Sequence, residues 1–270
     1  MIKRALFAAL LAVTPAVTPV VAHAFSQEDV VLGNFLPGWQ TGAGTHMAAL
    51  HVQLAPEWKT YWRAPGDTGI PPVFDWSGSE NLKAVRFHWP RPSVFHVNGM
   101  QSIGYHHELV LPIEVTAINP DQPILLRARI DIGVCKDICV PASFELTADL
   151  NAQGQRDPVI VDALSNRPTP GHEAGLIGIG CTVEPIKDGL RITAALDLPS
   201  LGGPETVVLE SGLPGVWVSE STARRDGSQL VAVTEMVPPS GAPFALDRSG
   251  VTVTVIAGGN AVEISGCPAP

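Results

Sequence analysis

The chain has 270 residues, of which 45% are hydrophobic, with 26 glycines, 25 prolines and a formal net charge of −9. The hydrophobic content is too high for a disordered chain, and the acidic charge argues against nucleic acid or an anionic lipid surface as a partner. Many short apolar runs between proline and glycine residues favour an all-β protein of one or two domains.

The first 24 residues have the pattern of a secretory signal peptide. Lys3 and Arg4 precede the apolar run "ALFAALLAV", and Ala22 and Ala24 form the small-residue cleavage site. No later segment approaches the roughly 18 apolar residues that a membrane-spanning helix needs. The sequence therefore predicts a periplasmic protein that starts at Phe25, is not inserted in the membrane and lies where disulfides persist.

Residues 25–152 are predicted to form the first of two β-sandwich domains. In "ILLRARIDI" (124–132), Leu126, Ala128 and Ile130 alternate with charged residues, which is typical of a strand with one buried face. About seven such runs suit an immunoglobulin-like sandwich. Besides this one, the runs include "AALHVQL", "VFDW", "AVRFHW", "LVLPIEV" and "SFELTADL".

Two cysteines lie four positions apart in "GVCKDICVPASF" (133–144), between the last two predicted strands of this domain. A Cys135–Cys139 bridge would close a very short loop and contribute only about 2 kcal/mol before any strain is subtracted. Lys136 would favour a thiolate and Asp137 would oppose it. The spacing favours reversible chemistry, but a structural disulfide and a metal clamp stay open as alternatives.

Residues 153–170 are predicted to be a linker with a short helix. Apolar residues recur at helical spacing from Val159 to Leu164, and Pro168 is a stop signal. Residues 171–270 are predicted to form a second β-sandwich, because six more short apolar runs follow.

Cys181 and Cys267 lie 86 positions apart, at the first and last predicted strands of the second domain. Four cysteines in an exported protein can pair in three ways. The chain-entropy stabilisation of a Cys181–Cys267 bridge is roughly 4–5 kcal/mol, because the loop is long. We therefore predict a structural disulfide between these two residues.

Three ordered motifs resemble a known family. They are "YWRAPGDTGIPPVFDW" (61–76), "RFHWPRPSVFHVNGMQSIGYHHELVLPIEV" (86–115) and "DIGVCKDICVPASFEL" (131–146). Together they resemble the amino-terminal periplasmic domain of DsbD/ScsB-type transmembrane thiol-disulfide reductases. In that family an immunoglobulin-like domain carries a cysteine pair, receives electrons from a thioredoxin-like partner and reduces disulfides of exported client proteins.

The resemblance implies roles for particular residues. Cys135 and Cys139 would be the redox pair of a protein-disulfide reductase type of oxidoreductase that needs no cofactor. A loop within "APGDTGIPP" (64–72) would shield the sulfurs; its residues are Gly66, Asp67, Thr68, Gly69 and Ile70. The family's membrane and thioredoxin-like domains are not found in this sequence, so a separate membrane electron donor is expected. Some family members space their cysteines more widely, and the resemblance therefore does not tell which cysteine attacks.

Two other functions compete with this interpretation. CxxxC is also a ligand spacing in copper chaperones, thiolates suit Cu(I), and some ScsB-type proteins are linked to copper tolerance, so a copper-binding module is one alternative. The other is a structural interaction domain in which both disulfides are inert.

Histidine and tryptophan residues near the motifs are interpreted as structural. Strand alternation puts His106 and His107 on opposite faces, so at most one of them could approach the cysteines. Four tryptophans are predicted to be core aromatics rather than a binding platform: Trp58, Trp62, Trp76 and Trp89.

Overall fold

A computed structural model describes residues 26–150 and 154–270. The predicted signal peptide, residues 1–24, lies outside the described residues. Two pairs of sheets are joined by a short helix, which confirms the predicted all-β class with two immunoglobulin-like sandwiches and a helical linker. Within these two ranges, no helix is long and apolar enough to cross a membrane.

The first sandwich contains ten strands in two sheets. One sheet has the order β1-β2-β8-β5, and the other has the order β10-β9-β3-β7-β6, with β4 paired to β9. The strands are Val31–Gly42 (β1), Thr45–Leu54 (β2), Lys59–Tyr61 (β3), Val73–Asp75 (β4), Leu82–Phe87 (β5), Ser93–Val97 (β6), Met100–His106 (β7), Glu108–Ala117 (β8), Ile124–Cys135 (β9) and Cys139–Leu150 (β10).

Alternating apolar residues of the two sheets form the core of the first sandwich. Leu126, Ala128 and Ile130 of β9 are buried, as the alternation predicts, while the arginines between them face solvent. The tryptophan prediction is also confirmed: three of the four are buried, and Trp76 is partly buried and stacks on Phe74.

Strands β6 and β7 form a hairpin that the strand runs did not predict. Its two-residue turn is Asn98-Gly99, and both residues have positive φ, 53° and 78°. This left-handed conformation suits Asn and Gly and matches the twist of the two strands. The hairpin completes the sheet on which the cysteine pair lies.

The second sandwich contains the nine remaining strands. Its sheets have the orders β11-β19-β18-β14 and β12-β13-β17-β15, with β16 paired to β17, and β11 runs parallel to β19. The strands are Thr169–Pro170 (β11), Gly178–Pro185 (β12), Leu190–Asp197 (β13), Thr206–Glu210 (β14), Trp217–Val218 (β15), Thr222–Asp226 (β16), Gln229–Val237 (β17), Thr252–Ala257 (β18) and Asn260–Ser265 (β19).

A disulfide between Cys181 and Cys267 ties the two sheets of the second sandwich together. Cys181 is on β12 and Cys267 follows β19, and both are almost fully buried in the core. The backbone around the bond is fully paired: the Cys181 N–H donates to the Pro268 carbonyl at 2.7 Å, and Arg248 donates to the Cys181 carbonyl at 2.7 Å.

The linker helix, Pro158–Ser165 (α1), packs on the outer face of the β1-β2-β8-β5 sheet. Asp157 caps its amino terminus by accepting a hydrogen bond from the helix backbone, and a proline occupies the first turn. Ile160 and Ala163 are buried in a cluster with Trp39. The helix therefore belongs structurally to the surface of the first sandwich.

Arg63 links the two sandwiches. Its guanidinium donates to both Glu210 carboxylate oxygens at 2.9 Å and to Glu263 at 2.6 Å. Burial works against its charge, but the two carboxylates outweigh this effect and raise the pKa of Arg63. Ile256 and Ala261 of the second sandwich also pack into the core cluster of the first.

Candidate active site

The cysteine pair closes the β9–β10 hairpin. Cys135 and Cys139 are directly opposite each other in the strand register, and they are bonded, with their Cα atoms 4.1 Å apart. Three residues form the turn between them, in which the Lys136 N–H donates to the Ile138 carbonyl at 3.1 Å. The disulfide therefore lies at the tip of a long hairpin.

The two sulfur-bearing residues differ in exposure. Cys135 is 2% exposed, whereas Cys139 is exposed. Ile138 beside it is 66% exposed. An approaching protein therefore reaches Cys139 first.

Tyr61 on β3 contacts the disulfide from within the sheet. Its hydroxyl lies 2.9 Å from Cys135 Sγ and 3.6 Å from Cys139 Sγ. Strand β3 sits between β7 and β9, and Gly104 of β7 has no room for a side chain, because a Cβ there would lie 2.0 Å from the Thr60 carbonyl oxygen. Burial raises the pKa of Tyr61, so its hydroxyl keeps its proton at neutral pH.

Lys59 lies on the same row of the sheet as the cysteines. It pairs with Cys135 on one side and with His106 on the other. Its Nζ donates to the hydroxyl of the buried Ser102 at 2.8 Å and lies 5.2 Å from the centroid of the Phe95 ring. Burial lowers the pKa of Lys59.

Lys136 of the turn forms an ion pair with Glu57, which lies outside the turn. Lys136 donates to Glu57 at 2.5 Å, and this hydrogen bond, with the charge of Lys136, lowers the pKa of Glu57. Asp137 is exposed. The sequence left the balance between Lys136 and Asp137 open; in the structure the lysine is already engaged by another carboxylate.

The two histidines occupy different positions. His106 ends β7, and its ring packs on Phe95 with centroids 4.3 Å apart, so Lys59 separates it from Cys135 along the sheet row. His107 has a φ of 65° in the connection to β8. The structure thus gives both histidines the packing and surface positions that were predicted for them.

The predicted shielding loop runs beside the cysteine strand. Ile70 packs on Gly133, two residues before Cys135: a Cβ at Gly133 would lie 2.7 Å from the Cβ of Ile70. Thr68 is farther from the pair, and its hydroxyl donates to the Gln101 carbonyl at 3.0 Å on β7. Ile70 therefore packs against the cysteine strand.

The other part of this loop faces the second sandwich. Gly66, Asp67 and Gly69 line a cavity of about 760 Å³, and Leu213 and Trp217 of the second sandwich line its opposite wall. The loop therefore contacts the cysteine strand at one end and the space between the sandwiches at the other. Among the described residues, no three His, Cys, Asp or Glu side chains converge as a metal site.

Tyr61 and Lys59 were not assigned a role from the sequence. Tyr61 opens the motif "YWRAPGDTGIPPVFDW", yet it is 74 positions from Cys135. Only the pairing of β3 with β9 brings them together. The sequence holds no local signal for this contact, because β3 has only three residues.

The first sandwich matches a known protein family. Residues 34–151 match the family model described as "Thiol:disulfide interchange protein DsbD, N-terminal". The chain is similar in structure to the N-terminal periplasmic domain of ScsB from Proteus mirabilis, with a TM-score of 0.67 and 21% identity, over 91% of this chain and 96% of that chain. A comparison with curated proteins found no match.

A second solved structure, a marsupial T cell receptor, matches with 10% identity over 89% of this chain and 96% of that chain. Its TM-score of 0.18 is too low to support any inference.

The family match makes the first sandwich a domain related to thiol:disulfide interchange. More specifically, residues 34–151 form a DsbD-like N-terminal domain, which confirms the resemblance carried by the three motifs.

Proposed function

We propose that the chain is a periplasmic thiol-disulfide interchange protein of the protein-disulfide reductase type. Its Cys135–Cys139 dithiol carries electrons from a thioredoxin-like periplasmic protein, or from a separate membrane donor, to disulfides of exported clients. The observation that carries this proposal is the unequal exposure of the pair, since one sulfur-bearing residue is buried and the other is exposed at a hairpin tip.

Electrons enter by thiolate attack on the exposed cysteine. A thiolate of the donor attacks Cys139 Sγ, a mixed disulfide forms, and the electron pair of the broken bond leaves on Cys135 Sγ. The donor's second thiolate then attacks the donor's first sulfur in the mixed disulfide, and Cys139 leaves as a thiolate. The products are the reduced pair and an oxidised donor.

Electrons leave by the reverse sequence. The Cys139 thiolate attacks a client disulfide, and the Cys135 thiolate then attacks Cys139 Sγ to release the reduced client. Two electrons pass in each cycle, and no cofactor takes part. Cys139 is thus the attacking cysteine, and Cys135 is the resolving one.

The surface around Cys139 supports docking by another protein. Ile138 and Ile70 are both exposed apolar side chains close to the pair, at 66% and 44%. Apolar side chains at a protein surface favour association, because docking removes them from water. We further propose that Ile70 and its loop, residues 66–70, restrict access to the sulfurs until a partner docks.

Single-cysteine variants test the assignment. Cys135→Ala leaves the exposed thiol and should form a mixed disulfide with a thioredoxin-like protein whose resolving cysteine is removed and whose remaining cysteine is activated as a thionitrobenzoate adduct. Cys139→Ala should form at least about tenfold less adduct in the same time, because its remaining thiol is buried. Non-reducing gels and peptide mass mapping measure the adduct.

The double variant Cys135→Ala/Cys139→Ala is the matched control and should form none. Equal adduct from the two single variants would contradict the assignment of Cys139 as the attacking residue. No adduct from either variant would contradict the relay itself.

A further inference from the structure

Opening the disulfide creates a charge in a buried place. When a thiolate attacks Cys139, the Cys135–Cys139 bond breaks and Cys135 Sγ becomes a thiolate, although Cys135 is only 2% exposed. Burial disfavours a charged sulfur and raises the pKa of its thiol. A thiol with a high pKa is also a poor leaving group. The site therefore needs a group that stabilises this thiolate.

The structure places one polar group directly on that sulfur. The Tyr61 hydroxyl lies 2.9 Å from Cys135 Sγ, which is well within the distance of a hydrogen bond to sulfur, and Tyr61 itself is 3% exposed. Water therefore has little access to the contact. A hydrogen bond to a charged acceptor is roughly twice as strong as a neutral one.

The charged and titratable groups near Cys135 are otherwise engaged or face solvent. Lys59 on β3 donates to Ser102, and the turn lysine is paired with Glu57. The charged and titratable groups that these contacts place around the pair lie on β3, β7, the turn and the segment before β3: Lys59, Tyr61, His106, Lys136, Asp137 and Glu57.

We infer that Tyr61 is a catalytic residue of the exchange reaction, and that its hydroxyl donates a hydrogen bond to the Cys135 thiolate each time the disulfide opens. This inference rests on the proposed function, because it assigns a role within that reaction. The inference stands on the contact described above, in which the protonated Tyr61 hydroxyl lies against Cys135 Sγ, the sulfur that leaves.

The electron and proton balance is simple. The attacking sulfur bonds to Cys139 Sγ, the Cys135–Cys139 bond breaks, and the electron pair stays on Cys135. The phenol proton stays on Tyr61 throughout, because burial raises the pKa of that hydroxyl. In the return direction the same hydrogen bond keeps Cys135 in the thiolate form that resolves the mixed disulfide.

The first test measures the acidity of the Cys135 thiol directly. In a Cys139→Ala background, Tyr61→Phe should raise the pKa of Cys135 by about one unit, as expected for the loss of one hydrogen bond to a charged group. The readout is the NMR shift of ¹³Cβ-labelled cysteine across a pH series. Tyr105→Phe is the matched control, because Tyr105 is also buried but its hydroxyl donates to the Pro90 carbonyl instead.

The second test uses the oxidised chain and a small dithiol. Reduction of Cys135–Cys139 by dithiothreitol should be slower in Tyr61→Phe by up to about tenfold, because the leaving thiol has the higher pKa. Tyr105→Phe should match the unsubstituted chain. An unchanged pKa of Cys135 together with an unchanged rate would overturn the inference.

Neither test needs a partner protein, so the two proposals can fail separately. A slower Tyr61→Phe variant combined with no adduct in the trapping experiment would support Tyr61 and contradict the relay. Adduct formation with no effect of Tyr61→Phe would support the relay and contradict the role of Tyr61.

Discussion

The two disulfides of this chain are chemically the same bond in opposite surroundings. Cys181–Cys267 joins two sheets across a loop of 86 positions, and both of its residues are almost fully buried. Cys135–Cys139 joins neighbouring strands across four positions, and one of its residues is exposed. One bond restricts the unfolded chain strongly and is closed to reagents, while the other restricts it weakly and is open to attack.

This difference shows that topology and burial together decide what a disulfide can do. A long enclosed loop gives large entropic stabilisation, and burial keeps thiolates away from the sulfurs. A short loop at a hairpin tip gives neither property. The surroundings of Cys135–Cys139 therefore suit a bond that is made and broken repeatedly.

The largest effect is expected from removing the second-sandwich bond. Replacing Cys181 and Cys267 by alanine should lower the free energy of unfolding by about 2–5 kcal/mol. Replacing Cys135 and Cys139 should lower it by at most about 2 kcal/mol, because that loop is short. Urea unfolding of both double variants, followed by circular dichroism, measures the difference.

A disulfide-reduction assay completes this comparison. The 135/139 variant should lack the proposed reductase activity, and the 181/267 variant should keep it at temperatures where it is folded. If the 135/139 variant were the less stable one and activity were unchanged, the hairpin disulfide would be a structural bond and the comparison would be reversed.

An intermediate effect is expected at the contact between the sandwiches. Arg63→Met keeps most of the side-chain volume but leaves Glu210 and Glu263 without their shared cation. The pairs are partly exposed, so the loss should be about 1–2 kcal/mol, between the values for surface and buried ion pairs. Thermal unfolding measures it. Arg127→Met, which removes an exposed ion pair with Glu80, is the control and should cost less than about 1 kcal/mol.

The smallest effect concerns acid sensitivity of the first sandwich. Burial lowers the pKa of His46 below its ordinary 6.5, so the unfolded chain binds a proton more readily. Stability from this group is present above pH 6.5 and is lost as the pH falls through the lower folded-state pKa. Glutamine does not titrate but can still donate to the Pro37 carbonyl, so His46→Gln should reduce the loss of stability at acid pH.

Unfolding at about pH 7.5 and about pH 5 checks this expectation, because the two values lie on either side of the ordinary pKa of 6.5, at which the unfolded chain takes up the proton. Tryptophan fluorescence is a suitable probe, since five of the six tryptophans precede residue 90. His172→Gln in the second sandwich is the control: its side chain is 80% exposed. An equal acid response of His46→Gln and the unsubstituted chain would contradict the prediction.

Alternation predicted strands such as β9 because one of their faces is buried. The run containing Leu126 and Ile130 has the predicted inward face. The β6–β7 hairpin was missed, although Asn98-Gly99 between apolar residues is a strong turn signal. Short strands such as β3 and β15 carry too few residues to show a period.

The sequence predicted the cysteine pair of the site but not the residues that contact it. Cysteine spacing and family motifs singled out Cys135 and Cys139, because the two residues are only four positions apart in the sequence. Tyr61 joins them through strand pairing across 74 positions, and one sequence does not reveal such a register. Exposure of Cys139 but not Cys135 also depends on packing that no local pattern encodes.

The paired ladder of the β9–β10 hairpin has a consequence for the reduced state. Twelve residue pairs align these strands, from Cys139 opposite Cys135 to Leu150 opposite Ile124. We expect this ladder to hold the two thiols face to face after reduction. Reclosure is then an intramolecular reaction with a very high effective molarity, and it needs almost no reorganisation of the chain.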